Sequence, residues 1–272
     1  MKKKRIDTLL VEYGLAESAE HASRLLMAGL VVAGEHRVDK PGDLVDPSLP
    51  IRLKETLPYV SRGGLKLERA VELFSIDFKD KVVIDIGSST GGFTDVALKS
   101  GAERIYAVDS GFNQLHESLR RESRVVSLEE TNFRTIDFDT IGEKADVIVS
   151  DVSFISLEKI IPSAVQFCSD NTEVVLLIKP QFEVRREQVG KGGIVEHEEY
   201  RAEAVVRVCR FAVESGFGLF GLASSPIKGA KGNVEYLAHF VYNCPTATNT
   251  ISSALEQVIH EKGFYSSKAP RG

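Results

Sequence analysis

The chain has 272 residues, 43% of them hydrophobic and 27% charged, and a formal net charge of -5. This is the composition of a globular protein with a good core, built as one large domain or as a small one beside a medium one. It excludes a broadly basic nucleic-acid binder, so any grip on RNA has to come from a local patch.

Cys168, Cys209 and Cys244 lie far apart with no CxxC spacing, which argues against a disulfide framework and against a zinc site; no metal is expected. The basic opening is not a secretion signal, because Asp7 and Glu12 interrupt the run that would have to be apolar. The most apolar stretch, 174–178, is only strand length, and nothing approaches the ~20 apolar residues of a spanning helix. A cytoplasmic protein without membrane contact is expected.

In chain order, Ile6, Leu9, Leu10 and Tyr13 have helical spacing, and Gly14 ends that turn. Ser18 can cap a second helix over 19–28 with Ala22, Leu25 and Leu26 facing inward, and Gly29 stops it. Two short strands around Gly34-Glu35 read as a hairpin, and 51–53 as another strand. This predicts a small α+β module over 1–57, then a linker over 58–62. From 63 onward the texture changes. A helix at 63–74 precedes strands at 82–86, 104–108, 124–128, 146–150, 173–179, 217–224 and 235–242. Helices fall near 92–100, 113–121, 156–169 and 198–215. Such alternation predicts an α/β domain over 63–245, with a mostly parallel seven-stranded sheet covered on both faces. The last two strands have no helix between them and should form an antiparallel pair at one edge. A C-terminal helix and frayed tail are expected over 246–272.

Strand 82–86 runs into Gly87-Ser88-Ser89-Thr90-Gly91-Gly92-Phe93, a glycine-rich turn where a nucleotide ligand can approach the backbone. Its G-x-x-x-G-G spacing is not that of a pyrophosphate binder. Asp109 ends the next strand, where an acid can accept hydrogen bonds from ribose hydroxyls. A tight turn without a ligand would also explain the loop taken alone. The segment Asp85-x-Gly87-Ser88-Ser89-x-Gly91-Gly92-Phe93 resembles the cofactor motif of the FtsJ-type ribose 2′-O-methyltransferases, which often have Pro where this chain has Thr90. The resemblance implies a Rossmann-like methyltransferase that uses S-adenosylmethionine. It assigns cofactor contacts to Asp85, Gly87, Ser88, Ser89, Gly91, Gly92, Phe93, Asp109, Asn132 and Asp151.

Four polar segments fall where strands end or helices begin: Arg62-Gly63-Gly64-Leu65-Lys66, Ser150-Asp151-Val152-Ser153-Phe154, Ile178-Lys179-Pro180-Gln181-Phe182-Glu183 and Gly232-Asn233-Val234-Glu235-Tyr236. A lysine ending a strand as apolar as 174–178 is costly unless it is paired or functional. Taken alone, Lys66 reads as a solvated helix residue and Glu235 as a surface acid. Together, Lys66, Asp151, Lys179 and Glu235 match the Lys-Asp-Lys-Glu tetrad of the 2′-O-methyltransferases, and the resemblance makes Lys179 the base. The chemistry is consistent: a ribose hydroxyl is a poor nucleophile near neutral pH, one amine can take its proton, and a second cation steadies the oxyanion.

The whole pattern, YVSRGGLKL, DIGSSTGGFT, SDVSFISL, IKPQFE, GKGGIV and SPIKGAKGNVEYL behind an N-terminal module, resembles the TlyA family, often labelled hemolysin. The resemblance implies an S-four-type RNA-binding domain ahead of the methyltransferase, ribosomal RNA or ribosomal subunits as partner, and methylation of cytidine riboses. This chain reads Glu129-Glu130-Thr131-Asn132 where the family often carries an Arg, and Ser18-Ala19 where it often has Ser-Arg.

Residues 1–57 hold nine Lys or Arg and nine Asp or Glu, so clustering rather than total charge would make the RNA patch. The candidates are Lys3, Lys4, Arg5, Arg24, Arg37 and Lys40, with Lys2 beside them and Arg62 near the active-site mouth. The stretch 183–194 reads as a flexible flap whose Arg185, Arg186 and Lys191 could close over RNA. Two other readings stay open: a non-catalytic RNA-binding or ribosome-assembly factor, and a membrane-lytic protein, which no spanning or strongly amphipathic segment supports.

Overall fold

A computed structural model describes residues 3–27, 29–53, 57–246, 250–260 and 263–267. The chain forms two compact units, Met1–Pro58 and Tyr59–Gly272.

The first unit is built from β1 (Lys4–Arg5), α1 (Ile6–Glu12), α2 (Ala19–Met27), β2 (Val31–Ala33), β3 (His36–Val38), β4 (Leu44–Val45) and β5 (Ile51–Leu53). β1 pairs with β4, and β2 lies between β3 and β5, all antiparallel. Ser18 caps α2 by accepting from His21 N at 3.1 Å. The helical spacing puts Ile6, Leu10, Ala22 and Leu26 into one core with Val31. Tyr13 departs from the expected inward stripe. It lies past the end of α1, is 46% exposed, and its hydroxyl donates to the Pro47 carbonyl.

The second unit contains α3 (Gly63–Phe74), β6 (Val82–Ile86), α4 (Gly92–Lys99), β7 (Arg104–Val108), α5 (Glu117–Arg120), β8 (Val125–Leu128), α6 (Phe138–Ile141), β9 (Ala145–Ser150), α7 (Ile161–Val165), β10 (Cys168–Ile178), α8 (Pro180–Glu183), α9 (Glu198–Glu214), β11 (Phe217–Ser224), β12 (Tyr236–Tyr242), α10 (Thr250–Leu255) and β13 (Phe264–Ser266). They form one sheet in the order β13-β11-β12-β10-β9-β6-β7-β8. The five strands from β10 to β8 are parallel, and the three others are antiparallel. Side chains alternate between two buried faces. Ile84, Ile86, Ile148, Leu176 and Ile178 meet Val205 and Val208 of α9. Val83, Val147, Val149, Val175 and Leu177 meet Leu67 and Ala70 of α3 and Phe93 and Ala97 of α4.

Three features differ from expectation. Among the described residues the sheet has eight strands, because 264–266 pair with the outer side of β11. A three-residue strand is too short to show a period of two, so the segment read as tail. That strand moves the β11–β12 pair in from the edge. The helices expected at 113–121 and 156–169 shrink to single turns at α5 and α7. In the first, Glu129 accepts from the backbone N–H groups of Asn113, Gln114 and Leu115 and holds 113–115 as a loop. The expected linker residues 59–62 belong to the second unit. The Tyr59 hydroxyl donates to Glu68 at 2.7 Å, and Val60 N donates to Asp95 at 2.9 Å. Among the described residues, no helix is long and apolar enough to cross a membrane.

Candidate active site

The loop after β6 is shaped by backbone geometry. Gly91 has φ +96°, and a Cβ there would lie 2.3 Å from the Leu119 side chain, so only glycine fits. Gly87 N and Ser88 N both donate to the Val108 carbonyl, which ties the loop to β7. Asp109 accepts from Ser89 N at 2.8 Å and from Gly111 N at 2.7 Å. The acid expected to face a ribose therefore also fastens the loop, with a second lone pair on each oxygen still available. Asn132 caps the turn Phe133–Thr135 by accepting from Arg134 N at 3.1 Å, and it lines the same cavity as Asp109.

Asp85 lies fully buried beneath this loop. One oxygen accepts from the Thr94 hydroxyl at 2.6 Å; the other, and the buried Ser88 hydroxyl, have no hydrogen-bond partner among the described residues. Burial drives the Asp85 pKa from its ordinary 3.8 up to about 7, with the Thr94 hydrogen bond opposing. The folded state thus keeps a proton that the unfolded chain has shed. The stability this proton contributes is full below pH 3.8 and is lost as the pH rises to about 7. Asp85→Asn is expected to flatten that part of the curve of melting temperature against pH; an unchanged slope would show that Asp85 is ionised in the fold.

Two cavities of about 310 and 380 Å³ flank the loop, each within the range of small-ligand sites. They share Gly87, Ser89, Asp151 and Ser153. The first is polar and holds Arg62, Lys66, Asp85, Ser88, Gly92, Phe93 and Lys179. The second runs past Ile86, Val108, Asp109, Asn132, Phe133, Val152 and Ile155. Both sit at the carboxyl ends of the parallel strands, where open α/β sheets take their ligands.

Four charged side chains meet at the first cavity, three of them in its lining and Glu235 behind Lys66. Asp151 follows β9, Lys179 follows the adjacent β10, and Glu235 precedes β12, which pairs with β10 through Ile178 opposite Tyr236. Lys66 comes from α3, packed on the same face by Leu67 and Ala70. Lys66 Nζ donates to Glu235 Oε2 at 2.7 Å and lies 3.6 Å from Asp151 Oδ2. Lys179 Nζ lies 2.6 Å from Asp151 Oδ1 and donates to the Ser153 hydroxyl at 2.8 Å. Lys66 and Lys179 are each 8% exposed and Glu235 2%, so both lysines and one acid are withdrawn from water, with Asp151 partly exposed between the lysines. Asp151 bridges the lysines and puts a second cation beside each amine.

The FtsJ-like methyltransferase model matches residues 59–242, and the S4 domain model matches residues 4–51. The chain belongs to the FtsJ-like methyltransferase family. Bacillus subtilis YqxC is 49% identical over 88% of this chain and 85% of its own length. The 16S/23S rRNA (cytidine-2′-O)-methyltransferase TlyA of Mycobacterium tuberculosis is 40% identical over 95% of this chain and 97% of its own. A solved chain from Streptococcus thermophilus with a hemolysin label is 44% identical, covers 96% of this chain and 97% of its own, and superposes with a TM-score of 0.72.

The RNA candidates of this FtsJ-like chain are more neutralised than clustering suggested. Lys4 pairs with Glu12 at 2.9 Å, Arg5 with Asp7 at 2.6 Å, Arg24 with Glu20 at 3.6 Å and Arg37 with Asp39 at 2.5 Å. Such surface pairs are weak and can exchange for phosphates. Lys3 and Lys40 are exposed, and Lys2 lies outside the described residues. The expected flap is fastened at both ends. Its first residue, Glu183, is buried and accepts from the Ser156 hydroxyl and Leu157 N; burial pushes its carboxyl up in pKa. At the far end, Asn233 donates to the Gly193 carbonyl and accepts from Val195 N. Arg186 and Lys191 stay exposed between these anchors, and Arg185 lies 3.9 Å from Glu203.

Sequence reasoning missed Ser153, Glu183, Asn233 and Gly229. The first three lie inside the polar segments that flagged their neighbours. Gly229 lies inside the segment SPIKGAKGNVEYL but was not singled out, and a Cβ there would fall 1.9 Å from Glu235 Oε1.

Proposed function

We propose that this chain transfers a methyl group from S-adenosylmethionine to the 2′-oxygen of a cytidine in ribosomal RNA, with Lys179 as the general base. The observation that carries the reading is the buried set Lys66, Asp151, Lys179 and Glu235 beside the glycine-rich loop. The cofactor fits the residues present. The unpartnered Asp85 oxygen and Ser88 hydroxyl suit its amino-acid end, and the cavity of Ile86, Val108, Asp109, Asn132 and Val152 suits its nucleoside. When bound, S-adenosylmethionine supplies a methyl group on a positive sulfur, which an oxygen can displace. Lys179, as the neutral amine, takes the hydroxyl proton as that oxygen attacks. Lys66 offers positive charge to the forming oxyanion, and Glu235 keeps Lys66 in place.

The S4-type unit grips RNA through cations that leave their surface partners for phosphates. Arg62, which lines the polar cavity, and Arg185, Arg186 and Lys191 of the segment after β10 add contacts. Ribosomal subunits present the target, and the reaction belongs to the cytoplasm.

The test is transfer of a labelled methyl group to bacterial 16S and 23S rRNA. Label is expected at a cytidine whose 3′ linkage then resists alkaline cleavage, because that cleavage needs a free 2′-hydroxyl. A protein that binds the cofactor yet labels neither RNA would overturn the substrate. Asp85 adds a pH signature: its ionised form is the one that holds a cationic amine. Cofactor affinity is expected to fall about tenfold per pH unit below 7. In Asp85→Asn the affinity is lower and no longer varies in this way, which titration calorimetry at pH 6, 7 and 8 will read.

A further inference from the structure

The two contacts of Lys179 differ in kind. Its nitrogen is only 2.6 Å from Asp151 Oδ1, but that oxygen receives no well-angled hydrogen bond. The approach to the Asp151 carbonyl is long, at 3.5 Å. The contact at a good distance and angle is the one to the Ser153 hydroxyl, at 2.8 Å. Asp151 therefore supplies charge, and Ser153 supplies direction.

We propose that Ser153 is a positioning residue that aims the lone pair of the Lys179 amine into the cavity; this rests on the reading of Lys179 as the base. A neutral amine has two N–H bonds and one lone pair at tetrahedral angles. When one N–H points to Ser153 Oγ, rotation about the last carbon–nitrogen bond is fixed, and the lone pair is confined to the tetrahedral directions that remain. Lys179 and Ser153 both line the polar cavity. Without the hydroxyl, the amine is free to rotate about its last carbon–nitrogen bond, and the lone pair loses its aim.

The surroundings hold Ser153 for this task. Its neighbour Phe154 has φ +64° and is 91% exposed, so the hold comes from the contacts on either side. The Phe154 ring packs against Phe182 at 5.1 Å, and Glu183 accepts from the Ser156 hydroxyl at 2.7 Å and from Leu157 N at 2.9 Å. The loop after β9 is thus fastened to the segment after β10 at residues 153, 154, 156 and 157. Arg207 of α9 reaches the same Glu183 at 3.3 Å and closes the clamp from behind.

The test compares Ser153→Ala, Ser153→Thr and Lys179→Ala in single-turnover methyl transfer to 16S and 23S rRNA, using the full chain. Ser153→Ala is expected to slow the step by about 10- to 100-fold, the scale of a misplaced catalytic group. The half-saturating RNA concentration and the cofactor affinity should hold within about twofold, since the variant removes one oxygen from an exposed loop residue. Ser153→Thr restores most of the rate. In a Lys179→Ala background, Ser153→Ala should cost nothing further, because the two act as one unit. Wild-type rates in Ser153→Ala beside an inactive Lys179→Ala would overturn the role of Ser153 alone. Loss of cofactor or RNA binding in proportion to rate would overturn it too, as would an additive loss in the double variant. Wild-type rates in Lys179→Ala would instead remove the base assignment itself.

Discussion

Lys179→Ala is expected to slow methyl transfer by about 10²- to 10⁴-fold, the range for removing a positioned general base. The fold should survive, because Asp151 keeps Lys66 at 3.6 Å and its carboxylate is partly exposed. Cofactor affinity should hold, since Asp85, Ser88 and the second cavity are untouched. Lys179→Arg separates charge from proton transfer. A guanidinium keeps the positive charge but does not give up its proton under these conditions. The arginine variant should be as slow as the alanine one. An active Lys179→Arg would mean that the position acts through charge alone, and the proton would have to leave by another route. Single-turnover rates of both variants, read beside their cofactor affinities, decide between the two.

Glu235→Ala should destabilise the second unit by about 3–5 kcal/mol, the cost of stripping one partner from a buried ion pair. Glu235 is 2% exposed and receives the Lys66 hydrogen bond at 2.7 Å. Its removal leaves Lys66 with Asp151 alone, at the longer distance and shared with Lys179. Glu235→Gln keeps an oxygen for Lys66 and should lose less. Denaturant unfolding of all three proteins, followed through the transition of the second unit, gives the comparison. If Glu235→Ala unfolds at the wild-type midpoint, the charges are not a stability-bearing set. Activity should fall further in Glu235→Ala than in Glu235→Gln, because only the alanine variant takes away the contact that holds Lys66 at the cavity.

The sequence was legible where a physical rule acts over short range. The strands at 82–86 and 104–108 were visible as apolar runs that end in an acid, and both occur at those bounds. Lys66, Asp151, Lys179 and Glu235 could be listed because each sits at an element end, and the fold brings them within ion-pair distance. What the letters did not carry was pairing. The ion pairs of Lys4, Arg5 and Arg37 depend on side-chain directions that charge counting ignores. Strand 264–266 depends on a free edge of β11 that exists only in three dimensions. The hydrogen bond from Lys179 to Ser153 joins residues 26 positions apart, and only the adjacency of β9 and β10 brings them together.

The place of β12 has a consequence for how the enzyme comes into being. This strand is inserted between β10 and β11, and Glu235 stands at its threshold, 169 positions beyond the lysine it holds. A growing chain can pair β6, β7, β8, β9 and β10 early, since these are parallel neighbours supplied in the first part of the domain. The charge balance around Lys66 closes only once this strand is in place, a contact of long sequence separation. A chain cut ahead of residue 235 keeps the glycine-rich loop but lacks the acid that holds Lys66.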